Sequence, residues 1–163
     1  MTACRLPDTA IQQYDDTTIR RHCIAEIPKR PVRLTQQSTR GAKVTVRAVR
    51  GAVQLAADDS DEMSGAVSEL VSAVLDRNGL TADDVISILF TATPDLVCDF
   101  PAHAVRKAGI TDVPLLCATE IDVAGALPRV VRLLAHIETP RVRSEIAHVY
   151  LRGAIALRRD LAQ

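Results

Sequence analysis

Residues 43–50, KVTVRAVR, alternate: Val44, Val46 and Ala48 share one face and Lys43, Thr45 and Arg47 the other. That is the period-two pattern of a half-buried strand. Arg50 has the parity of the apolar face, so a strand reaching that far turns its guanidinium inward just before Gly51. The period then changes. Met63, Ala66, Val67, Leu70, Val71, Val74 and Leu75 recur at helical spacing, and Asn78-Gly79 stops the run. Asp59 followed by Glu62 reads as an N-terminal cap with its returning carboxylate. This helix is scaffold.

Val85–Ala92 is a second strand, with Ile86, Ile88 and Phe90 opposite Ser87, Leu89 and Thr91. Thr93-Pro94-Asp95 forms a turn, and a loop through Cys98, Asp99 and Phe100 follows. Pro101 suits the first position of a short helix, AHAVRKA, with His103 and Arg106 near its two ends. Residues 113–118 form a third strand. Strict alternation puts Cys117 and Glu120 on opposite faces, and a pocket holding both requires the strand to end or bulge between them. Residues 129–138, RVVRLLAHIE, fit helix or strand by period; their β-branched pairs and brevity favour strand. Pro140 ends that run, a helical turn fits 143–149, and Tyr150 precedes the apolar segment 153–157. Residues 1–42 carry no sustained period and are interrupted by Pro7, Pro28 and Pro31. We expect them to be a largely disordered extension, with a domain over 43–163. A functional tail and a start codon set too far upstream both fit that stretch.

Composition narrows the class. The 163 residues are enough for one domain with a real core, and at 47% apolar but 2% aromatic that core is aliphatic. Lys plus Arg equals Asp plus Glu at 20 each, so no nucleic-acid or membrane footprint stands out. The N-terminus lacks the basic-then-apolar layout of a secretory signal. Cys4, Cys23, Cys98 and Cys117 form no CxxC pair or zinc-like spacing, so a reduced, cytoplasmic, metal-free protein is expected.

Candidate chemistry gathers between Val113 and Arg132. Cys117, Glu120 and Arg132 lie close to apolar backbone, where a carboxylate or guanidinium is costly unless partnered. An internal Glu120–Arg132 ion pair is one explanation; a pocket for a polar ligand is the other.

The strings VRAVRGA (46–52), TATPDLVCDFPAHAVR (91–106), PLLCATEIDVAGAL (114–127) and HVYLRGAIALR (148–158), together with Arg132, resemble the AroH-class monofunctional chorismate mutases. The likeness runs over residues 44–161 in the same order and with nearly the same spacing, and residues 1–42 have no counterpart. It implies an α+β fold: a mixed β-sheet packed with one long helix, assembled as a homotrimeric pseudo-α/β barrel with active sites at subunit interfaces. It also implies conversion of chorismate to prephenate, on the branch to phenylalanine and tyrosine, without cofactor or metal.

By the same resemblance, Arg132 matches the cation at the ether oxygen and Glu120 the acceptor of the ring hydroxyl, with Cys117 beside it. Arg50, Arg106 and Arg158 match carboxylate-binding or rim positions, and Tyr150 a phenol that hydrogen-bonds a carboxylate. Phe100, Ala102, Leu115 and Leu157 form the apolar wall. His103 stands where Lys is common, and Leu116 replaces a more polar residue whose backbone alone meets substrate. Arg159 sits where Pro usually follows, and any C-terminal lid is short. Two other readings are carried forward: a trimeric imine/enamine deaminase-like protein, and a non-catalytic partner of a shikimate-pathway enzyme.

Overall fold

The computed structural model describes residues 43–158, all inside the unit that runs from Thr39 to Gln163. The expected extension over 1–42, and Arg159 with the C-terminal lid, lie outside the described residues.

Five strands make one mixed sheet: β1 (Thr45–Gln54), β2 (Val85–Ala92), β3 (Leu115–Thr119), β4 (Val130–Thr139) and β5 (Val149–Leu151), in the order β3-β2-β4-β1-β5. β4 runs antiparallel to both its neighbours, whereas β3 is parallel to β2 and β5 parallel to β1. The parallel neighbours β2 and β3 need a crossover, and α2 (Pro101–Lys107) supplies it. Residues 130–139 are strand, as the β-branched pairs of 129–138 suggest, and Arg129 lies just ahead of it.

α1 (Ser60–Asn78) covers one face of the sheet with Met63, Ala66, Val67, Leu70 and Val74, all at most 3% exposed. Asp59 caps it, its Oδ1 accepting from the Asp61 and Glu62 N–H groups at 3.0 Å each. Glu62 does not return to Asp59 as expected. Its carboxylate accepts from the Ala56 N–H at 3.0 Å and pairs with Arg152, which also reaches Glu69. The helix ends where Gly79 enters the left-handed region at φ 64°, and the Leu80 N–H closes back on the Leu75 carbonyl.

The core face and the open face of the sheet correct two expectations. In β1 the face turned to the helices carries Val49, Gly51 and Val53, whereas Val44, Val46 and Ala48 are exposed. Arg50 shares their parity, so its guanidinium points away from the helix-packed core, not inward. The expected phase took the apolar residues of 43–50 as the buried set; residues 49–53, deeper in the sheet, decide the matter. In β2, Val85 and Ser87 pair with the consecutive residues Ile137 and His136. Ile86 is the extra residue of that bulge and is exposed, so it does not join Ile88 and Phe90 in the core.

Candidate active site

Register puts the chemistry on the open face. Thr91 of β2 pairs with Arg132 of β4, Arg132 with Ala52 of β1, and Ala52 with Tyr150 of β5. These four side chains form one row across the sheet, opposite the row Phe90, Leu133, Gly51 and Val149 on the core face. Glu120 extends β3 by one step, because its N–H donates to the Ala92 carbonyl at 2.9 Å. Alternation therefore persists past Thr119 without a bulge. It leaves Glu120 on the open face and Cys117 on the core side, packed near Phe90.

Glu120 is held at both oxygens. Thr91 Oγ1 donates to its Oε1 at 2.6 Å, and Arg132 Nη1 donates to its Oε2. The Glu120 side chain is 12% exposed and the Arg132 side chain 35%, so the carboxylate is the more deeply set of the two. The start of β4 is fixed by the TPD turn. The Thr93 hydroxyl accepts from the Val130 N–H at 3.0 Å, and Asp95 accepts from the Arg129 N–H at 2.8 Å. Arg129 sits at φ 52°, a left-handed conformation that this hydrogen bond and the Leu55–Arg129 backbone bond hold in place. Arg132 thus stands on a strand locked two residues ahead of it.

Tyr150 is 8% exposed and packs with Ala52, Val130, Ala154, Leu127 and Leu157. Its hydroxyl is buried with no hydrogen-bond partner among the described residues. An unpaired buried hydroxyl costs roughly 1–3 kcal/mol. An acceptor brought by a ligand would relieve that cost.

One row further along the same face, Arg50 lies beside His148. The Arg50 backbone N–H donates to His148 Nδ1 at 3.1 Å. Burial first, then the charges of Arg50 and Arg158, hold the imidazole below its usual range. Arg50 and Arg158 thus both act on the His148 ring. Leu116 also lies on the open face and is 64% exposed.

The remaining expected residues gather elsewhere. Phe100, His103 and Cys117 line a cleft of about 360 Å³ that contains neither Glu120 nor Arg132. Glu120 and Arg132 line their own, of about 590 Å³, together with the loop through Ile121 and Val123. Phe100 is 64% exposed, edge-on to the His103 ring at 5.8 Å. Asp99 accepts from the Phe100 N–H and pairs with His103 Nδ1, at 2.7 Å in each case. Leu115 packs against the core, and Ala102 is half-buried on α2. Arg106 donates to the Thr111 carbonyl, closing the loop after α2. Within one chain, then, the expected residues fall into two groups on different sides of the sheet. Thr91 and His148 were not among the candidates. Their signals were only the parity of Thr91 and the His of HVYL.

The fold and this geometry define an α+β domain in which, among the described residues, one sheet face is packed by helices and the other carries Thr91, Glu120, Arg132 and Tyr150. Comparison with known proteins gives that class its family. The model for chorismate mutase type I matches residues 46–161, and the chain belongs to that family. It is 42% identical over 117 residues to the chorismate mutase AroH of Thermus thermophilus, covering 71% of this chain and 96% of the relative. It is 36% identical over 118 residues to AroH of Bacillus subtilis, covering 72% and 93%. A solved chorismate mutase from Clostridium thermocellum superposes with a TM-score of 0.67 at 41% identity, over 68% of this chain and 98% of that one.

Proposed function

We infer that this chain is a chorismate mutase, an isomerase that converts chorismate to prephenate for aromatic amino-acid biosynthesis. The reaction is pericyclic: the ether C–O bond breaks as a C–C bond forms within one molecule, so no nucleophile or general base is required. What lowers the barrier is restraint of the enolpyruvyl group over the ring and stabilisation of the charge that grows on the ether oxygen. Arg132 is the group for that oxygen. Glu120 keeps the guanidinium aimed and accepts a hydrogen bond from the ring hydroxyl. Arg50, with Arg158 at the rim, takes one substrate carboxylate in the bidentate manner that lysine cannot match. The Tyr150 hydroxyl donates to a carboxylate, and Leu157 packs beside it.

The observation that carries this reading is the Thr91–Glu120–Arg132 cluster, set in one row with a buried Tyr150 hydroxyl that has no partner among the described residues. A structural ion pair accounts for Glu120 and Arg132 but leaves Tyr150 unexplained.

Assembly belongs to the same proposal. The working unit is a homotrimer in which the open sheet faces close a barrel. Each site then combines the Arg132 face of one copy with the Phe100, Ala102, His103 and Arg106 segment of the next. The separation of those groups within one chain supports this, as do Val46 and Leu116, apolar residues at 55% and 64% exposure on the open face. Residues 43–163 form the catalytic domain, residues 1–42 are a dispensable extension, and the protein works in the cytoplasm with Cys98 and Cys117 reduced. The test is direct. Purified protein mixed with chorismate should remove the diene absorbance at a rate proportional to protein concentration; a rate equal to the uncatalysed background overturns the reading.

A further inference from the structure

β1 and β5 are bonded only over Gly51–Val53 and Val149–Leu151. At Arg50 that ladder has run out, yet the Arg50 N–H still faces the strand that enters β5. A backbone N–H in this position needs an acceptor from a side chain or from water. His148 supplies it: Nδ1 accepts at 3.1 Å, which puts the ring proton on Nε2. A doubly protonated ring would turn a donor toward that donor and lose the bond. The surroundings oppose that state. Arg47 and Arg50 from β1, His136 from β4 and Arg143 from the 3₁₀ segment line the same groove, and Arg158 adds its charge from the last 3₁₀ segment. Among the described residues, the groove lining contains no carboxylate.

We propose that His148 is a positioning residue for substrate binding: its imidazole anchors the Arg50 backbone and so sets where the Arg50 guanidinium meets a substrate carboxylate. His148 is the side chain that ties the Arg50 N–H to the segment entering β5, beside the ladder that holds Arg50 opposite Leu134 of β4. Arg50 lies between the buried Val49 and Gly51 in the β1–β4 ladder, and its guanidinium stands at the end of a long side chain, so a slight turn of the backbone is magnified at the carboxylate it would meet. The inference rests on the chorismate mutase reading and adds to it a residue that touches neither substrate nor the reacting bonds.

His148→Ala and His148→Asn separate this role from mere packing, because the Asn Oδ1 can accept from the same N–H. In His148→Ala we expect the Arg50 amide to exchange with solvent about tenfold faster, the size of one lost hydrogen bond. KM for chorismate should rise by a similar factor, with kcat within about twofold. His148→Asn should bring both quantities back. Exchange at Val53 and Val149, followed in the same spectra, reports whether the sheet itself has loosened. An unchanged Arg50 exchange rate in His148→Ala overturns the proposal. So does a His148→Asn enzyme whose KM matches the alanine variant, or a kcat that falls as far as KM rises. Failure of the wider reading looks different: wild-type protein would then leave chorismate untouched, and the substrate-binding role assigned to His148 would fall with it.

Discussion

Arg132 and Leu133 are consecutive in β4, as Thr91 is to Phe90 in β2, yet each pair is divided between two environments. Phe90 and Leu133 face the helices at 0% and 4% exposure, inside an aliphatic core where volume is what matters. Thr91 and Arg132 face the open side and are defined by their bonds to Glu120. A strand fixes both at once, since the register that packs Leu133 against Phe90 also sets Arg132 opposite Thr91. The core face therefore works as a jig for the open face. Loss of packing and loss of chemistry should be separable by substituting neighbours.

The largest effect is expected on the open side. Arg132→Ala should lower kcat/KM for chorismate by at least ~10³-fold, the scale for removing a preorganised group at developing charge. The fold should persist, because Glu120 keeps the Thr91 bond and the lost side chain was one-third exposed. Retention of a substantial kcat would end the electrostatic account. Arg106→Ala should also be weak if Arg106 serves the neighbouring copy's site. Co-refolded with Arg132→Ala, it should then regain about a quarter of wild-type activity, since a quarter of random interfaces combine two intact halves. No recovery on mixing would place every essential group in one copy.

On the core side the sign reverses. Leu133→Ala should cost about 2–5 kcal/mol of stability through the cavity it leaves. The molecules that remain folded should keep nearly full kcat, as measured by denaturant unfolding alongside turnover below the transition. A collapse of kcat at unchanged stability would mean the two faces are not independent. Smaller still is Thr91→Val, which keeps the shape and removes the hydroxyl. The remaining partner of Glu120 is Arg132, and a loss of about tenfold in kcat/KM is expected from one hydrogen bond to a charged group. Thr91→Ser should restore it.

How far the sequence foretold this depends on the distance over which each feature is decided. The α1 cap at Asp59 and the stop at Gly79 are local, and both were legible. So was the strand character of β4, where β-branched residues outweighed an ambiguous period. The buried face of β1 was not legible, because apolar residues occupy both faces: Val46 and Ala48 on one, Val49 and Val53 on the other. Alternation reports burial only when one face is polar. The bulge at Ile86 was hidden for the same reason, since Val85, Ile86 and Ile88 are equally apolar. Glu120 and Arg132 were singled out by the cost of charge near apolar backbone and Tyr150 through motif likeness, and the register then put all three on one face. His148 and Thr91 act on partners 98 and 29 residues away, a relation that no local pattern carries.

The smallest test concerns the other half of the proposed site. Asp99 accepts from the Phe100 N–H and pairs with His103 and, at 4.0 Å, with Lys107. The Phe100 N–H, then His103 and Lys107, hold its carboxyl below the ordinary value of 3.8 against the opposing effect of burial. A carboxylate lowered on folding stabilises the protein above its unfolded pKa, and that contribution disappears as the pH falls through the folded value. Wild type should therefore exceed Asp99→Asn in stability at neutral pH by less than about 1 kcal/mol, the scale of a solvated pair. The gap should close only below about pH 4, where the unfolded carboxyl also takes its proton. Asp58 and Glu62 are lowered as well, so both proteins should still lose stability in acid, and only the difference between them isolates Asp99. A difference that instead stayed constant down to about pH 2 would mean that Asp99 holds the start of α2 through its shape and not its charge.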